Sequence, residues 1–265
     1  MRTVAHISDL HFGRTDPEVL KGLHQALCGA EPDVLIVSGD LTQRARAHEF
    51  EAAARFLDSL PQPQVVVPGN HDVPLYNVAA RWLWPLASYR RYIGDIDRAR
   101  YADDEIAVLG LNTARALTFK NGRVNRQQVA RACAWFGELA ASPVRMVVTH
   151  HPFALPASET RHKAIGRAKM ALSAFAACKV DIVLSGHLHA TQAVTGDTLY
   201  VGPHAALLVQ AGTATSSRRR HEANAFNLLR ISGDGVAIEH HAWSRGFSLL
   251  AAEHFRRGPD GWFKA

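Results

Sequence analysis

The chain has 265 residues, 47% of them apolar and 20% charged, a balance that supports a packed core and excludes the low-hydrophobicity, high-charge signature of disorder. At this length one α/β domain with a single large core is expected, and a second full domain would be cramped. The formal charge of +6 suits a phosphate-bearing ligand but is also common in proteins without one, and no apolar run approaches the roughly 18 residues needed to span a bilayer.

The first element, residues 3–7, is apolar and β-branched with no basic and then apolar export signal, so it predicts a strand in a cytoplasmic protein without membrane attachment. A helix follows over 18–28, with Pro17 at its opening where proline is tolerated. The alternation then continues: strand 34–38, helix 45–60, strand 65–67, strand 106–111, helix 126–141, strand 144–149, helix 164–178 and strand 182–185. Pro61 and Pro143 follow two of the helices, as expected of residues that cannot extend them. After Gly186 the pattern changes to short runs at 191–195, 198–201, 206–211, 224–231 and 236–243, which predict an antiparallel meander with a hairpin turn at Thr195-Gly196-Asp197. The whole reads as a mixed α/β sandwich. Residues 74–95 interrupt the alternation; their aromatic and arginine-rich stretch, with Tyr76, Trp82, Trp84, Tyr89 and Tyr92, predicts helix and a candidate lid or substrate-specificity segment.

Cys28, Cys133 and Cys178 are odd in number and far apart in sequence, which predicts buried small residues and neither a disulfide framework nor a cysteine zinc site. The 15 histidines are more informative, because imidazole is the commonest metal ligand. Asp9 and His11 follow the first predicted strand, Asp40 the second, and Asn70-His71-Asp72 the third. His150 and the pair His187 and His189 follow later ones. In an α/β sheet the carboxyl ends of parallel strands line one edge, where ligands bind, so five chain segments are expected to converge. An Asp-x-His or His-x-His pair on extended backbone would point both side chains the same way. Gly39, Gly69 and Gly186 directly precede ligand candidates, where a close approach would need a residue without Cβ. A donor set of imidazole, carboxylate and one amide without thiolate suits Mn, Fe, Zn, Ni or Co. Seven candidates exceed the needs of one ion, and two ions about 3.5–4 Å apart would use them as a clamp on phosphorus.

In this order the blocks Asp-Leu-His, Gly-Asp, Gly-Asn-His-Asp, a lone His and Gly-His-Leu-His resemble the calcineurin-like metallophosphoesterases, without departure from Asp9 to His189. The resemblance implies a four-layer sandwich of two mixed β-sheets flanked by helices. It implies that Asp9, His11 and His189 bind one metal, that Asn70, His150 and His187 bind the second, and that Asp40 bridges them. The two cofactor ions would be divalent or trivalent transition metals such as Mn, Fe or Zn. His71, which belongs to neither ion in the family pattern, is the expected general acid, with Asp72 orienting it.

Water on such an ion loses its proton near neutral pH, roughly 7 on zinc against 15.7 in bulk, so hydroxide would be the nucleophile and no protein nucleophile is required. The spelling Ile-Ser-Asp-Leu-His-Phe-Gly and the short chain resemble the bacterial class III cyclic-nucleotide phosphodiesterases most. The expected substrate is therefore a small phosphodiester such as a 3',5'-cyclic nucleotide. The alternatives are a phosphomonoesterase or nuclease of the same superfamily and, in a different class, a metal-binding regulatory scaffold without turnover. Weaker substrate-contact candidates are Arg14, His151, Tyr76 and Trp82. Arg218-Arg219-Arg220 lacks the interleaved aromatics of a nucleic-acid surface and is expected to be a solvated loop.

Overall fold

A computed structural model describes residues 1–118, 120–140, 143–155, 163–188, 191–195, 204–215, 223–259 and 261–265. The chain begins with β1 (Arg2–Ile7), turns, and enters α1 (Pro17–Ala30) under an Asp16 cap whose carboxylate accepts from the Glu18 and Val19 N–H groups, which have no partner inside the helix. There follow β2 (Val34–Val37), α2 (Ala47–Asp58), β3 (Gln64–Val66), α3 (Val78–Leu83) and α4 (Ala87–Tyr92). The helix expected within 74–93 is thus divided in two. Pro85 stands in the gap, and a proline there can neither donate to the ladder nor fit the preceding turn.

The second half comprises β4 (Arg100–Ala102), β5 (Ile106–Gly110), α5 (Arg126–Gly137), β6 (Val144–Val148), α6 (Ala168–Ala177), β7 (Ile182–Ser185), β8 (Gln192–Thr195) and β9 (Leu207–Gln210). It closes with β10 (Ala225–Ile231), β11 (Gly235–Trp243), β12 (Phe247–Gly258) and β13 (Gly261–Lys264). The expected strand 198–201 and most of the expected turn lie outside the described residues, as do His189 and Arg218-Arg219-Arg220.

Two mixed sheets form. One has the order β13-β12-β11-β10-β1-β2-β3 and the other β4-β5-β6-β7-β9-β8. β1, β2 and β3 run parallel, as do β5, β6, β7 and β9, with antiparallel strands added outside them. The expected single meander is corrected by this order. β8 and β9 complete the second sheet, and only β10 to β13 form a meander, in the first. Hydrophobic runs alone do not say which sheet a short strand joins.

The layers follow from the two-residue period of the second sheet. Ile106, Val108, Met146, Val148, Ile182 and Leu184 join the main core shared with the first sheet. Ala107, Val147 and Val183 turn outward to pack with Val129 and Phe136 of α5 and Phe175 of α6. Parallel strands buried on both faces explain the unbroken apolar runs of the sequence.

The reading of the cysteines is overturned. Cys133 of α5 and Cys178 at the end of α6 form a disulfide, with Cα atoms 5.4 Å apart and a sequence separation of 45. Packing of the two helices against one sheet face supplies a proximity that sequence spacing hides. Cys28 is exposed and stands 3.8 Å from a ring nitrogen of His24, one turn earlier. Among the described residues no helix is long and apolar enough to cross a membrane.

Candidate metal centre

The expected ligand candidates among the described residues lie just beyond strands, and at four of them the backbone is not extended. Asp9, His11, Asp40 and His187 have φ values of 55°, 50°, 53° and 75°, a left-handed conformation uncommon for residues with a Cβ. The strand-period reading of Asp9 and His11 is therefore corrected: both side chains reach the centre through tight turns that end the pleat. These turns are held from both sides. The Asp9 N–H donates to the Gly39 carbonyl at 3.0 Å and the His11 N–H to the Asp40 carbonyl at 2.9 Å, so the loops after β1 and β2 brace one another.

The glycines ahead of the ligands allow the loops to close. A Cβ on Gly69 would overlap the Asp40 backbone and carboxylate, and one on Gly186 would overlap the Ser8 hydroxyl.

The candidate side chains meet in two groups. Asp9, His11 and Asp40 form one, and His150, His151 and His187 the other, each with donor atoms within 4.8 Å of one another and each buried. Asp40 Oδ2 stands between them, 4.0 Å from His11 Nε2 and 3.4 Å from His150 Nε2. His11 Nε2 is 3.5 Å from Asp9 Oδ1. Around His150 Nε2 converge Asn70 Oδ1 at 3.2 Å and His187 Nδ1 at 3.2 Å.

Surrounding polar atoms fix these ligand atoms. His150 Nδ1 lies 2.8 Å from the Ser38 carbonyl; since a carbonyl only accepts, Nδ1 carries a hydrogen and Nε2 is the ring atom turned to the centre. Ser8 Oγ donates to Asp9 Oδ2 at 2.6 Å, and the His187 N–H donates to the same oxygen at 3.0 Å. The His71 N–H donates to Asp40 Oδ1 at 2.8 Å, leaving Oδ2 toward the histidines.

Electrostatics tie the groups together. Burial favours a neutral Asp40 carboxyl, yet His150, His71 and His11 hold it well below the usual carboxylate range. Burial likewise opposes charge on His150, but Asp40 outweighs it and pushes the imidazole up to about 9. A cation on Nε2 would displace that proton and take over the interaction with Asp40. Buried, convergent imidazole, carboxylate and amide donors with their outer atoms already engaged fit transition-metal ions.

Asp72 differs from its expected part. Its carboxylate accepts from the backbone N–H groups of Leu41, Thr42 and Gly69 and from Thr42 Oγ1, at 2.9–3.1 Å. It thus ties the loop after β2 to that after β3 and leaves the His71 ring to another partner. That partner is the Gln43 carbonyl, 2.8 Å from His71 Nδ1. The His71 ring lies edge-on to His11, centroids 4.9 Å apart. Burial and the nearby Asp40 push the Asp72 carboxyl up to about 6.

The weaker candidates separate. His151 is buried within the second group, its ring centroid 4.9 Å from that of His150 and 4.8 Å from that of His187, with Nδ1 2.8 Å from Thr113 Oγ1. Burial and the two neighbouring histidines keep it neutral, its pKa well below the usual range. Arg14 lines a polar cavity beside the centre. Tyr76 is exposed, with the Arg44 guanidinium 5.7 Å from its ring centroid. Trp82 is exposed on α3. The adjacent Arg81 is buried and donates to the Pro74 and Ala116 carbonyls at 2.9 and 2.8 Å, fastening the segment after Asp72 to the loop after β5. Ser8, Ser38, Gln43 and Thr113 were not anticipated. Ser8 and Ser38 could have been flagged as small polar residues one or two places before a ligand, whereas nothing in the spacing marks Gln43 or Thr113.

Residues 2–191 match the family model described as calcineurin-like phosphoesterase. The chain belongs to that family. A glycerophosphodiester phosphodiesterase, GpdQ, from Enterobacter lignolyticus is 28% identical over 165 residues, which are 57% of this chain and 58% of that protein. The chain thus spans little more than half the length of this curated relative. Among solved structures, purple acid phosphatase PPD1 from yellow lupin (Lupinus luteus) superposes with a TM-score of 0.69 at 12% identity, over 95% of this chain and 53% of that one. A dimetal phosphatase from Danio rerio gives 0.64 at 15% identity, over 94% and 98% of the two chains. At these identities the two structures establish the shared metallophosphoesterase fold. His/Asp groups able to hold metal and two helix-flanked mixed sheets are therefore common ground between this chain and its family.

Proposed function

We propose that the protein is a binuclear metal-dependent phosphodiesterase acting on a small phosphodiester such as a 3',5'-cyclic nucleotide. The observation that carries this reading is the position of Asp40 Oδ2 between His11 and His150, at 4.0 and 3.4 Å. One carboxylate serving two adjacent donor groups is the arrangement a pair of ions requires. Asp9 and His11, with His189, are proposed to hold one ion. Asn70, His150 and His187 are proposed to hold the other. Preference for a diester draws on the similarity to a protein named as a glycerophosphodiester phosphodiesterase.

The chemistry supplied by such ions is activation of water and neutralisation of charge on phosphoryl oxygens. The chain's own contribution is orientation. Ser38 and the backbone around Asp9 hold ligand atoms in fixed directions, so little reorganisation accompanies reaction. His71 is placed by the Gln43 carbonyl and by its own N–H on Asp40. With Nδ1 donating to Gln43, Nε2 is the position from which an imidazolium gives a proton to the leaving alkoxide.

The test is a hydrolysis screen of the protein reconstituted separately with Mn, Fe, Co, Ni and Zn against mono-, di- and cyclic phosphate esters and against single- and double-stranded DNA. Turnover of small diesters with DNA left intact is expected. Faster turnover of monoesters, or digestion of DNA, would replace the reading. No hydrolysis of bis-nitrophenyl phosphate with any metal would favour a non-enzymatic metal-binding scaffold.

A further inference from the structure

The polar cavity beside His71 has a volume of about 230 Å³ and is lined by Gly13, Arg14, Gln43, Arg44, Arg46 and Glu49. It adjoins the proposed centre through short connections. The Arg14 N–H donates to the His11 carbonyl at 2.8 Å, and Gln43 holds His71. At this size it accommodates one end of a ligand and not a whole one.

Its charge is one-sided. Glu49 is the cavity's only carboxylate, and Oε2 is already engaged by the N–H groups of Arg44 and Arg46 at 2.8 and 3.2 Å. Neither of those guanidinium groups is in an ion pair among the described residues; the Arg44 group lies over Tyr76. Gly13, at φ 101°, keeps the floor open, since a Cβ there would come within 2.6 Å of Glu49 Oε1.

Gln43 supplies an independent sign of a ligand. It is buried, and its Oε1 has no hydrogen-bond partner, while Nε2 lies 3.3 Å from His71 Nδ1. His71 Nδ1 must carry a hydrogen to bond the Gln43 carbonyl, so an amide NH₂ facing it sets donor against donor. Turning the amide over places oxygen toward His71 and leaves the NH₂ group of this cavity-lining residue as a buried donor without a partner. Amide and guanidinium donors together call for an oxyanion.

Resting on the phosphodiesterase reading, we propose that this cavity is a subsite for a second phosphate on the leaving-group side of the substrate, bound by Arg44, Arg46 and Gln43 beside the proton donor His71. The preferred substrate class is then a diester whose departing alcohol is itself phosphorylated.

Two probe esters with matched reacting ends test the idea: methyl 4-(phosphonomethyl)phenyl phosphate and methyl 4-(carbamoylmethyl)phenyl phosphate. The metal-loaded protein should favour the phosphonate in kcat/KM by about tenfold or more, as charge-assisted hydrogen bonds warrant. In the double variant Arg44→Gln, Arg46→Gln that ratio should fall to about one, and raised salt should reduce it in the unaltered protein. A ratio near one in the unaltered protein, or a ratio the double variant keeps, overturns the subsite. Calorimetric titration of 4-methylbenzylphosphonate into metal-free protein separates this inference from the reading beneath it. Binding that the double variant loses supports the subsite even if neither ester is hydrolysed, and equal or absent binding in both proteins overturns it even if both esters are.

Discussion

The cluster around Asp40 and the segment that follows Asp72 are neighbours in sequence and opposites in physics. Asp9, His11, Asp40, His150 and His187 are all buried, and their backbone or side chains are hydrogen-bonded into loops from both sheets. A few residues on, Tyr76, Trp82, Leu83 and Trp84, in or beside the short helix α3, are 74%, 58%, 63% and 65% exposed. Groups held on all sides can be asked to hold ions in one geometry, whereas exposed aromatic side chains in and beside a short helix can meet ligands of different shape. On the proposed reading the reaction would be encoded in the core and the choice of ester at the rim, a division that can be broken at either end.

The largest effect is expected at Asp40. Asp40→Asn removes the charge shared by His11 and His150 and should lower metal content while costing several kcal/mol of transition-state stabilisation. That corresponds to on the order of a thousandfold in kcat/KM. Metal analysis beside kinetics checks it, and full metal occupancy with near-normal rates would remove Asp40 from the bridging position.

Next is His71, at the boundary between cluster and rim. His71→Ala should retain both metals yet slow diesters with poor leaving groups by roughly 10²–10⁴, the usual range for a lost general acid. Nitrophenyl esters, which leave without a proton, should be much less affected. Equal losses on both would assign His71 a positioning part instead.

A third prediction concerns stability of the buried side. His6 lies in β1 with Nε2 2.9 Å from Ser38 Oγ, and burial pushes its pKa down from 6.5 to about 3. Between those values the unfolded chain binds a proton that the folded chain rejects. Stability should therefore fall as pH drops from 6.5 toward 3, by up to about 1.4 kcal/mol per unit from this group. Denaturant unfolding of the metal-free protein should have a flatter profile over that range in His6→Phe; an unchanged slope would mean that other groups dominate.

The same contrast governs what could be read from sequence. The strands ending at Ile7, Val37, Val66, Val148 and Ser185 were legible because each is a β-branched run followed by a polar turn, and parallel order then brings those turns together. The left-handed turns at Asp9, His11, Asp40 and His187 were not, since apolar periodicity carries no sign of φ. Asp72 illustrates the limit well. Its place in Gly-Asn-His-Asp suggested a partner for His71, but the backbone N–H groups of Leu41, Thr42 and Gly69 reach it across a loop closure that only tertiary packing creates. Gln43, Thr113 and the Cys133–Cys178 disulfide depend on contacts of the same kind.

The smallest effect is expected at Trp82, and it probes the rim directly. The side chain is 58% exposed, and substitutions at such positions usually change stability by no more than about 0.5 kcal/mol. Trp82→Ala should therefore leave the unfolding midpoint almost unmoved, because Arg81, not Trp82, fastens α3 to the loop after β5. If the indole stacks on a nucleobase, its loss removes about 1–3 kcal/mol per base, at least a fivefold rise in KM for a cyclic nucleotide. A glycerophosphodiester has no ring to stack and should show no change. A selective rise would assign the aromatic rim to nucleotide recognition, and equal KM values for both esters would leave that choice to the arginine-lined cavity, whose donors recognise charge and not a π-face.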